Sequence, residues 1–198
     1  MNEKKILLCK KNKVLRFVNI IFLFLVVVAT LKSQDGAQLY IGTLNVSVPN
    51  EPNTIRPGYS IGGQGKIGSP GFFMSPGIIF QKFTVDPFDK NRYYNDRPSY
   101  SMIKLTNDAG YEYKIFKFLK VRVFAGVSLN YVISIDENTR GINFNNLYDA
   151  NFSYDYGAGI SLWFITFDFK RDNNLTDFFK DIEKKGINFT CFNIGITF

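Results

Sequence analysis

The chain has 198 residues, of which 17% are aromatic, and a formal net charge of +7. Residues 1–33 hold seven of the 24 Lys and Arg but one of the 17 Asp and Glu, so the rest of the chain is nearly neutral. We therefore expect no nucleic-acid partner, because such a partner needs positive charge on the folded part. The sequence contains no histidine, which removes the Ser-His-Asp and Cys-His triads and histidine metal sites.

The first 33 residues predict a signal peptide. A basic segment runs to Arg16, and the apolar segment that follows, 17–31, is short for a membrane-spanning helix. Ser33 provides a small residue for cleavage, and a retained N-terminal membrane anchor is the alternative. After cleavage Cys191 is the remaining cysteine, so we expect neither an intrachain disulfide nor a cysteine zinc cluster.

Beyond Gln34, segments rich in glycine and aromatic residues alternate with polar segments. Their period-2 pattern predicts eight strands, near 38–48, 58–67, 72–83, 101–113, 120–133, 152–163, 165–170 and 186–198. In the third strand, Pro76 predicts a bulge or a local bend. In the last strand, one face carries Phe192, Ile194, Ile196 and Phe198, and the other carries Cys191, Asn193, Gly195 and Thr197.

Short and long connections alternate along these strands. Short links fall near 68–70, 116–119 and 164, and longer polar links span 49–57, 84–99, 136–151 and 171–186. Transmembrane β-barrels have this arrangement, with tight periplasmic turns and longer outer loops. We therefore predict an all-β fold for residues 34–198, an eight-stranded antiparallel up-and-down transmembrane β-barrel that follows a helical signal peptide. Phe198 is then the predicted assembly signal at the periplasmic interface.

The polar face of the strands is expected to line the interior of the barrel. It carries glycines, which a narrow eight-stranded interior requires, and charges of both signs, which must pair when they are buried. The predicted lumen polar network consists of Lys66, Lys120, Arg122, Asp155, Asp168 and Lys170. The alternative is a soluble or periplasmic eight-stranded lipid-binding barrel, which is apolar inside and polar outside.

Five stretches of the sequence resemble the PorT-like family of outer-membrane β-barrel proteins. They are GYSIGG at 58–63, MSPGIIF at 74–80, VRVFAGV at 121–127, DYGAG at 155–159 and IGITF at 194–198. The resemblance covers roughly residues 36–198. It implies an eight-stranded barrel that the outer-membrane assembly machinery inserts, in a Gram-negative cell envelope.

No catalytic, cofactor-binding or metal-binding set of residues stands out. Asp155 and Asp168 are the nearest candidates for the carboxylate pair of an outer-membrane enzyme, but ion pairing with Arg122, Lys120 or Lys170 explains them better. We therefore expect a non-enzymatic outer-membrane protein without a cofactor, with a side-chain-filled lumen and a structural, adhesion or secretion-accessory role.

The predicted contact surface is the longer link 84–99. Its aromatic and arginine side chains are of the kinds that dominate binding hot spots, and they include Phe88, Arg92, Tyr93, Tyr94 and Arg97. An aromatic girdle at the outer leaflet is an equal alternative for these residues. The expected partners are outer-membrane lipid, the assembly machinery, and secretion-system or surface components.

Overall fold

The computed structural model describes residues 36–47, 56–68, 71–85, 98–138, 141–180 and 186–198. The predicted signal peptide and the predicted contact residues Phe88, Arg92, Tyr93, Tyr94 and Arg97 lie outside these ranges. The described part consists of nine strands and one turn of 3-10 helix, Phe144–Asn146. The strands are β1 Ala37–Ser47, β2 Arg56–Gly65, β3 Ile67–Gly68, β4 Phe72–Thr84, β5 Ser99–Phe116, β6 Leu119–Ile135, β7 Ala150–Leu162, β8 Ile165–Asn174 and β9 Asn188–Thr197.

These strands form one closed antiparallel barrel. The order is β2-β1-β9-β8-β7-β6-β5-β4-β3, and pairing of β2 with β4 completes the ring. Because β2 and β3 both pair with β4 on either side of Lys66, they count as one barrel strand and the barrel has eight. The last strand pairs with the first, as the predicted barrel requires, with Ile41 opposite Ile194. Closure removes the two long free edges that an open sheet would expose.

Pro76 does not shift the register of β4, so of the predicted bulge or local bend the bulge is not found. The pairs Gln64–Gly77 and Ile67–Met74 keep one register on both sides of it, and only the ladder between them is interrupted. Proline has no N–H to donate to the facing strand. The Ser75 hydroxyl instead donates to the carbonyl of Gly65 at 3.0 Å, so that this oxygen keeps a partner.

The two ends of the barrel differ as the sequence predicted. Lys117 and Phe118 join β5 to β6, and Trp163 and Phe164 join β7 to β8, at the end where the chain termini of the barrel meet. The strand ends that the longer connections join lie at the opposite end, which we call the outer end. The seventh predicted strand was too short, because β8 continues past Lys170 to Asn174 and pairs with β7 and β9 over that length.

Large apolar side chains are exposed along the outer surface of the barrel. Leu39, Val123 and Val127 are 57–60% exposed on strand positions that point away from the interior. In the last strand, Phe192, Ile194, Ile196 and Phe198 are exposed while Cys191 is buried, as the alternation predicted. Within the described residues, no helix has both the length and the apolar character to cross a membrane.

Candidate functional site in the barrel interior

The interior holds ion pairs in successive layers, beginning at the end where the termini meet. In the first layer Glu112, from the end of β5, contacts Lys66 at 2.9 Å and Lys120 at 3.2 Å. The Glu112 side chain is 12% exposed, whereas that of Lys120 is 41% exposed. This layer therefore lies at the mouth of the barrel, next to solvent.

The second layer is a buried arginine–carboxylate pair. Arg122 of β6 contacts both carboxylate oxygens of Asp168 of β8, with its Nη2 at 2.7 Å and 2.6 Å and its Nε at 2.9 Å. Gln38 accepts from Nη2 at 3.2 Å, and Ser161 accepts from Nη1 at 3.3 Å. Multiple charge-assisted bonds of this kind fix the geometry of both side chains, and they compensate part of the cost of burying the charges.

The third and fourth layers lie deeper and cross the lumen. Lys170 of β8 lies 2.8 Å from Asp108 of β5 and 3.0 Å from Asp155 of β7. Lys104 of β5 contacts Asp172 of β8 at 2.5 Å, and both of these side chains are fully buried. These contacts join strands on different walls, so they tie the barrel together across its interior.

The charges in these layers balance. Among the described residues, the interior ion pairs join five cations, Lys66, Lys104, Lys120, Arg122 and Lys170, to five carboxylates, Asp108, Glu112, Asp155, Asp168 and Asp172. An unpaired charge in such a setting would be costly. Equal numbers of both signs let the interior stay charged without a counterion.

Glycine makes room for these side chains. A Cβ atom at Gly159 would meet the Asp168 carboxylate and would lie 2.8 Å from Arg122 Nε. A Cβ atom at Gly126 would meet the Asp108 carboxylate in the same way. The glycines of the predicted polar face therefore mark where large charged groups from facing strands fill the narrow lumen.

An apolar plug closes the outer half of the lumen. The plug combines strand residues, Val85 just after β4, and residues of the two outer connections after β6 and β8, and all its members are buried. Phe178 packs on Phe83, Tyr100 and Phe179, with ring centroids 6.1, 5.7 and 5.0 Å away. The plug consists of Leu44, Val46, Phe83, Val85, Tyr100, Met102, Val132, Ile142, Leu147, Phe178, Phe179, Ile187, Phe189 and Cys191.

Backbone hydrogen bonds hold the two outer connections together over the plug. Tyr148 N donates to Phe178 O at 3.2 Å, and Lys180 N donates to Asn146 O at 2.9 Å. Leu147 and Phe179 form an isolated antiparallel bridge between these bonds. At the other end, a cavity of about 40 Å³ lies between the first and second layers, lined in part by Lys66, Glu112 and Arg122. Such a volume holds a few water molecules, not a solute.

The structure brings the six predicted lumen residues into these layers. Lys66 and Lys120 share Glu112, Arg122 meets Asp168, and Lys170 meets Asp155. Asp155 and Asp168 do not form a pair, because in the β7–β8 register Asp168 faces Gly159 and Asp155 faces Asp172. Four residues separate the two levels, about 13 Å along the strand, which exceeds the spacing of glycosidase carboxylates.

Sequence reasoning missed four charged members of the network, Lys104, Asp108, Glu112 and Asp172. The first three alternate along β5 together with Thr106, which is the signal that could have found them. A register shift between Ser101 and Met102 breaks this alternation at the outer end of β5 and obscured it. Asp172 was missed because it follows the point at which the seventh strand was predicted to end.

Cys191 lies inside the barrel, with its Sγ 3.9 Å from Asp172 Oδ2. It is a free, buried thiol, as expected for a small side chain on the lumen face. Within the ranges described above, no group of three or more His, Cys, Asp or Glu side chains is arranged to hold a metal ion.

Phe198 lies on the outer surface beside the start of β1. Its backbone N donates to Ala37 O at 3.0 Å, and its carbonyl accepts from Ala37 N at 2.9 Å. Its side chain is 70% exposed, at the end of the barrel that carries the short turns. Trp163, Phe164 and Phe118 are exposed at the same end, which is the arrangement of an aromatic girdle.

Comparison by sequence gives no match to a family model or to a curated protein. Solved structures of small outer-membrane barrels do match. The outer-membrane enzyme PagL is 10% identical over 81% of this chain and 99% of its own, with a TM-score of 0.54. Neisserial surface protein A is 12% identical over 82% of this chain and 96% of its own, with a TM-score of 0.51. Ail of Yersinia pestis is 11% identical over 83% and 100%, with a TM-score of 0.41. At these identities the likeness concerns the fold, which is that of small outer-membrane β-barrels.

Proposed function

We propose that this protein is a non-enzymatic outer-membrane barrel that acts through its outer loops, as a structural, adhesion or secretion-accessory component. The observation that carries the proposal is the filled interior. Four layers of ion pairs and an apolar plug occupy the lumen from one end to the other. A barrel filled in this way offers no path for a solute, so its outer surface and loops are left for function.

The distribution of polarity supports a place in the membrane. A soluble lipid carrier has an apolar interior and a polar exterior. Here five ion-paired cations lie inside, while Leu39, Val123 and Val127 are more than half exposed outside. An apolar exterior of this kind is stable against lipid and would aggregate in water.

The ion pairs also favour a structural role for the two candidate catalytic carboxylates. Asp168 uses both of its oxygens on Arg122, and Asp155 contacts Lys170. Neither carboxylate is left to accept a proton from a substrate or to attack one. The enzyme PagL shares the fold, and one fold supports both catalytic and non-catalytic proteins.

The remaining features of the proposal come from the sequence. They are export by the predicted signal peptide, membership of the PorT-like family, and insertion by the outer-membrane assembly machinery in a Gram-negative bacterium. The partners would be outer-membrane lipid and secretion-system or surface components, with no nucleic acid. The last four outward side chains, Phe192, Ile194, Ile196 and Phe198, are apolar, which supports recognition by an assembly machinery that reads the final strand.

Two measurements test the location and the closed lumen. A membrane barrel stays in the membrane after carbonate extraction and runs faster on a gel before boiling than after it. In planar bilayers the purified protein should show no stable conductance, because the plug and the ion pairs fill the lumen. Release by carbonate would overturn the membrane location, and a steady open-channel current would overturn the filled lumen.

A loop deletion tests recognition at the outer surface. Deletion of 86–96 should leave insertion and heat-modifiable mobility intact and weaken adhesion or partner capture at the cell surface. The matched control replaces the same segment with a Gly-Ser linker of equal length, which preserves the connection and removes the aromatic and arginine side chains. Loss of insertion in both variants would count against a recognition role for this loop.

A further inference from the structure

Arg171 differs from the interior cations in its surroundings. Lys170 and Asp172 on either side of it point into the barrel, so the Arg171 side chain lies on the outer surface of β8, where it is half-buried. Its Nη1 donates to Thr190 Oγ1 at 3.0 Å, and no carboxylate of the described residues pairs with it. The outward-facing Lys82, in contrast, contacts Asp136 at 3.0 Å. A cation on the lipid side of a barrel is costly unless an anion meets it.

Polar side chains surround Arg171 in two rows across neighbouring strands. One row, defined by the strand register, runs Asn45, Thr190, Arg171 and Tyr156. The second row lies nearer the strand ends and runs Ser47, Asn188, Asn173 and Tyr154. All eight side chains point outward, because their neighbours along each strand face the interior. The patch therefore offers one guanidinium together with amide and hydroxyl groups.

An apolar surface begins directly below these rows. Phe169 and Phe192 follow Arg171 and Thr190 toward the membrane centre, with their ring centroids 5.0 Å apart. A groove of about 610 Å³ continues from Phe192 along Ile41, Ile61 and Ile194, and its lining is almost wholly apolar. A polar patch with one cation above an apolar groove matches the chemistry of a lipid, which has a polar headgroup and a hydrocarbon chain.

The depth of Arg171 fits a headgroup. Arg171 lies three residues before the end of β8, about 10 Å along the strand. Arginine extends its head toward the membrane interface from such a position, and the headgroup layer is several ångström thick on each side of the hydrocarbon core. Its planar guanidinium donates two parallel hydrogen bonds, a geometry that suits phosphate oxygens.

We propose that Arg171 and the two polar rows bind the anionic phosphate headgroup of an outer-leaflet lipid, with one acyl chain in the groove below Phe192. This inference rests on the proposed membrane location of the barrel. It assigns a specific binding position to a class of lipid, in addition to the general contact that any membrane barrel makes with its bilayer.

The test uses the full mature barrel in micelles of a zwitterionic detergent. Short-chain phosphatidic acid is titrated against wild type and R171Q, and bound lipid is counted by native mass spectrometry. Phosphatidylcholine with the same chains and inorganic phosphate serve as comparison ligands. K82Q is the matched control, because it removes an outward cation whose charge already faces Asp136. Heat-modifiable mobility shows that each variant is folded.

We expect R171Q to lower the affinity for phosphatidic acid about tenfold, the effect of losing one charge-assisted contact. K82Q should change the affinity for phosphatidic acid less than about twofold. R171Q should change the affinity for phosphatidylcholine by no more than that. The affinity of R171K for phosphatidic acid should lie between those of wild type and R171Q, because lysine keeps the charge and lacks the paired donors of the guanidinium. R171K also provides the comparison if R171Q does not fold.

Equal affinity of wild type and R171Q would overturn the inference. An equal loss for phosphatidylcholine would overturn it as well, because it would indicate unspecific packing. Competition by inorganic phosphate at the same concentration would assign the site to free phosphate and not to a lipid. Failure of the barrel to insert into bilayers would overturn the proposed location, whereas the titration in micelles reports on Arg171 separately.

Discussion

The pair of Arg122 and Asp168 allows a quantitative test of the filled lumen. Both side chains are 7% exposed, and three nitrogen–oxygen distances below 3.0 Å join them. Asp168→Asn changes the shape of the side chain little but removes its charge, so that Arg122 remains buried without a counter-charge. Gln38 and Ser161 offer neutral acceptors only and do not replace it.

The expected cost follows from burial. Removal of one partner of a buried ion pair typically costs about 3–5 kcal/mol, because the remaining charge is uncompensated. The Lys82–Asp136 pair is the control, since its side chains are 35% and 46% exposed and it spans a similar 3.0 Å. Exposed pairs contribute about 0–1 kcal/mol. D168N should therefore destabilise the barrel by at least about 2 kcal/mol more than K82Q does.

Equilibrium unfolding by guanidinium in detergent micelles measures this difference, with tryptophan fluorescence from Trp163 as the signal. The double variant R122Q/D168N completes a double-mutant cycle, which isolates the interaction between the two groups. It should be more stable than the sum of the single effects implies, because neither charge remains. If D168N lowers the free energy of unfolding no more than K82Q does, or if the double-mutant cycle gives no coupling energy, the ion-pair layers do not stabilise the barrel as argued.

Three further outcomes are expected. Gly159→Ala places a Cβ against the Asp168 carboxylate and should lower the free energy of unfolding by about 1–3 kcal/mol. Gly186→Ala is the control, because a Cβ there meets nothing closer than 3.5 Å, and it should leave the free energy of unfolding nearly unchanged. Phe178→Ala should lower the free energy of unfolding by about 3–5 kcal/mol and speed amide exchange at 142–148. Bilayers that contain this variant should remain non-conducting, because the ion-pair layers persist, and a conducting variant would contradict the reasoning. Phe198→Asp should reduce insertion in cells more than folding in detergent, compared by membrane fractionation and heat-modifiable mobility, and unchanged insertion would contradict its role as an assembly signal.

The sequence by itself determined the fold class and the sidedness of the strands. Alternation is a local property, since successive side chains of any strand point to opposite faces. The pattern of β6 and β9 therefore separated Val123 and Ile194 from Arg122 and Cys191 before any partner was known. The alternation of short and long links also predicted which end of the barrel carries the short turns and which carries the longer connections, because link length is read directly along the chain.

The tertiary structure decided which inward groups meet. Lys170 contacts Asp108 across the lumen although 62 residues separate them, and this partner depends on the shear of the closed barrel. Only the pairing of β8 with β9 shows that Asp172 belongs to a strand and faces the interior, because Arg171–Asn174 has a loop-like composition. The plug residues Ile142 and Phe178 come from connections that lack the period-2 alternation of a strand. Their burial therefore follows from the way these connections close the lumen and not from a local sequence pattern. Local pattern fixes the face of a residue, whereas its partner is a property of the assembled barrel.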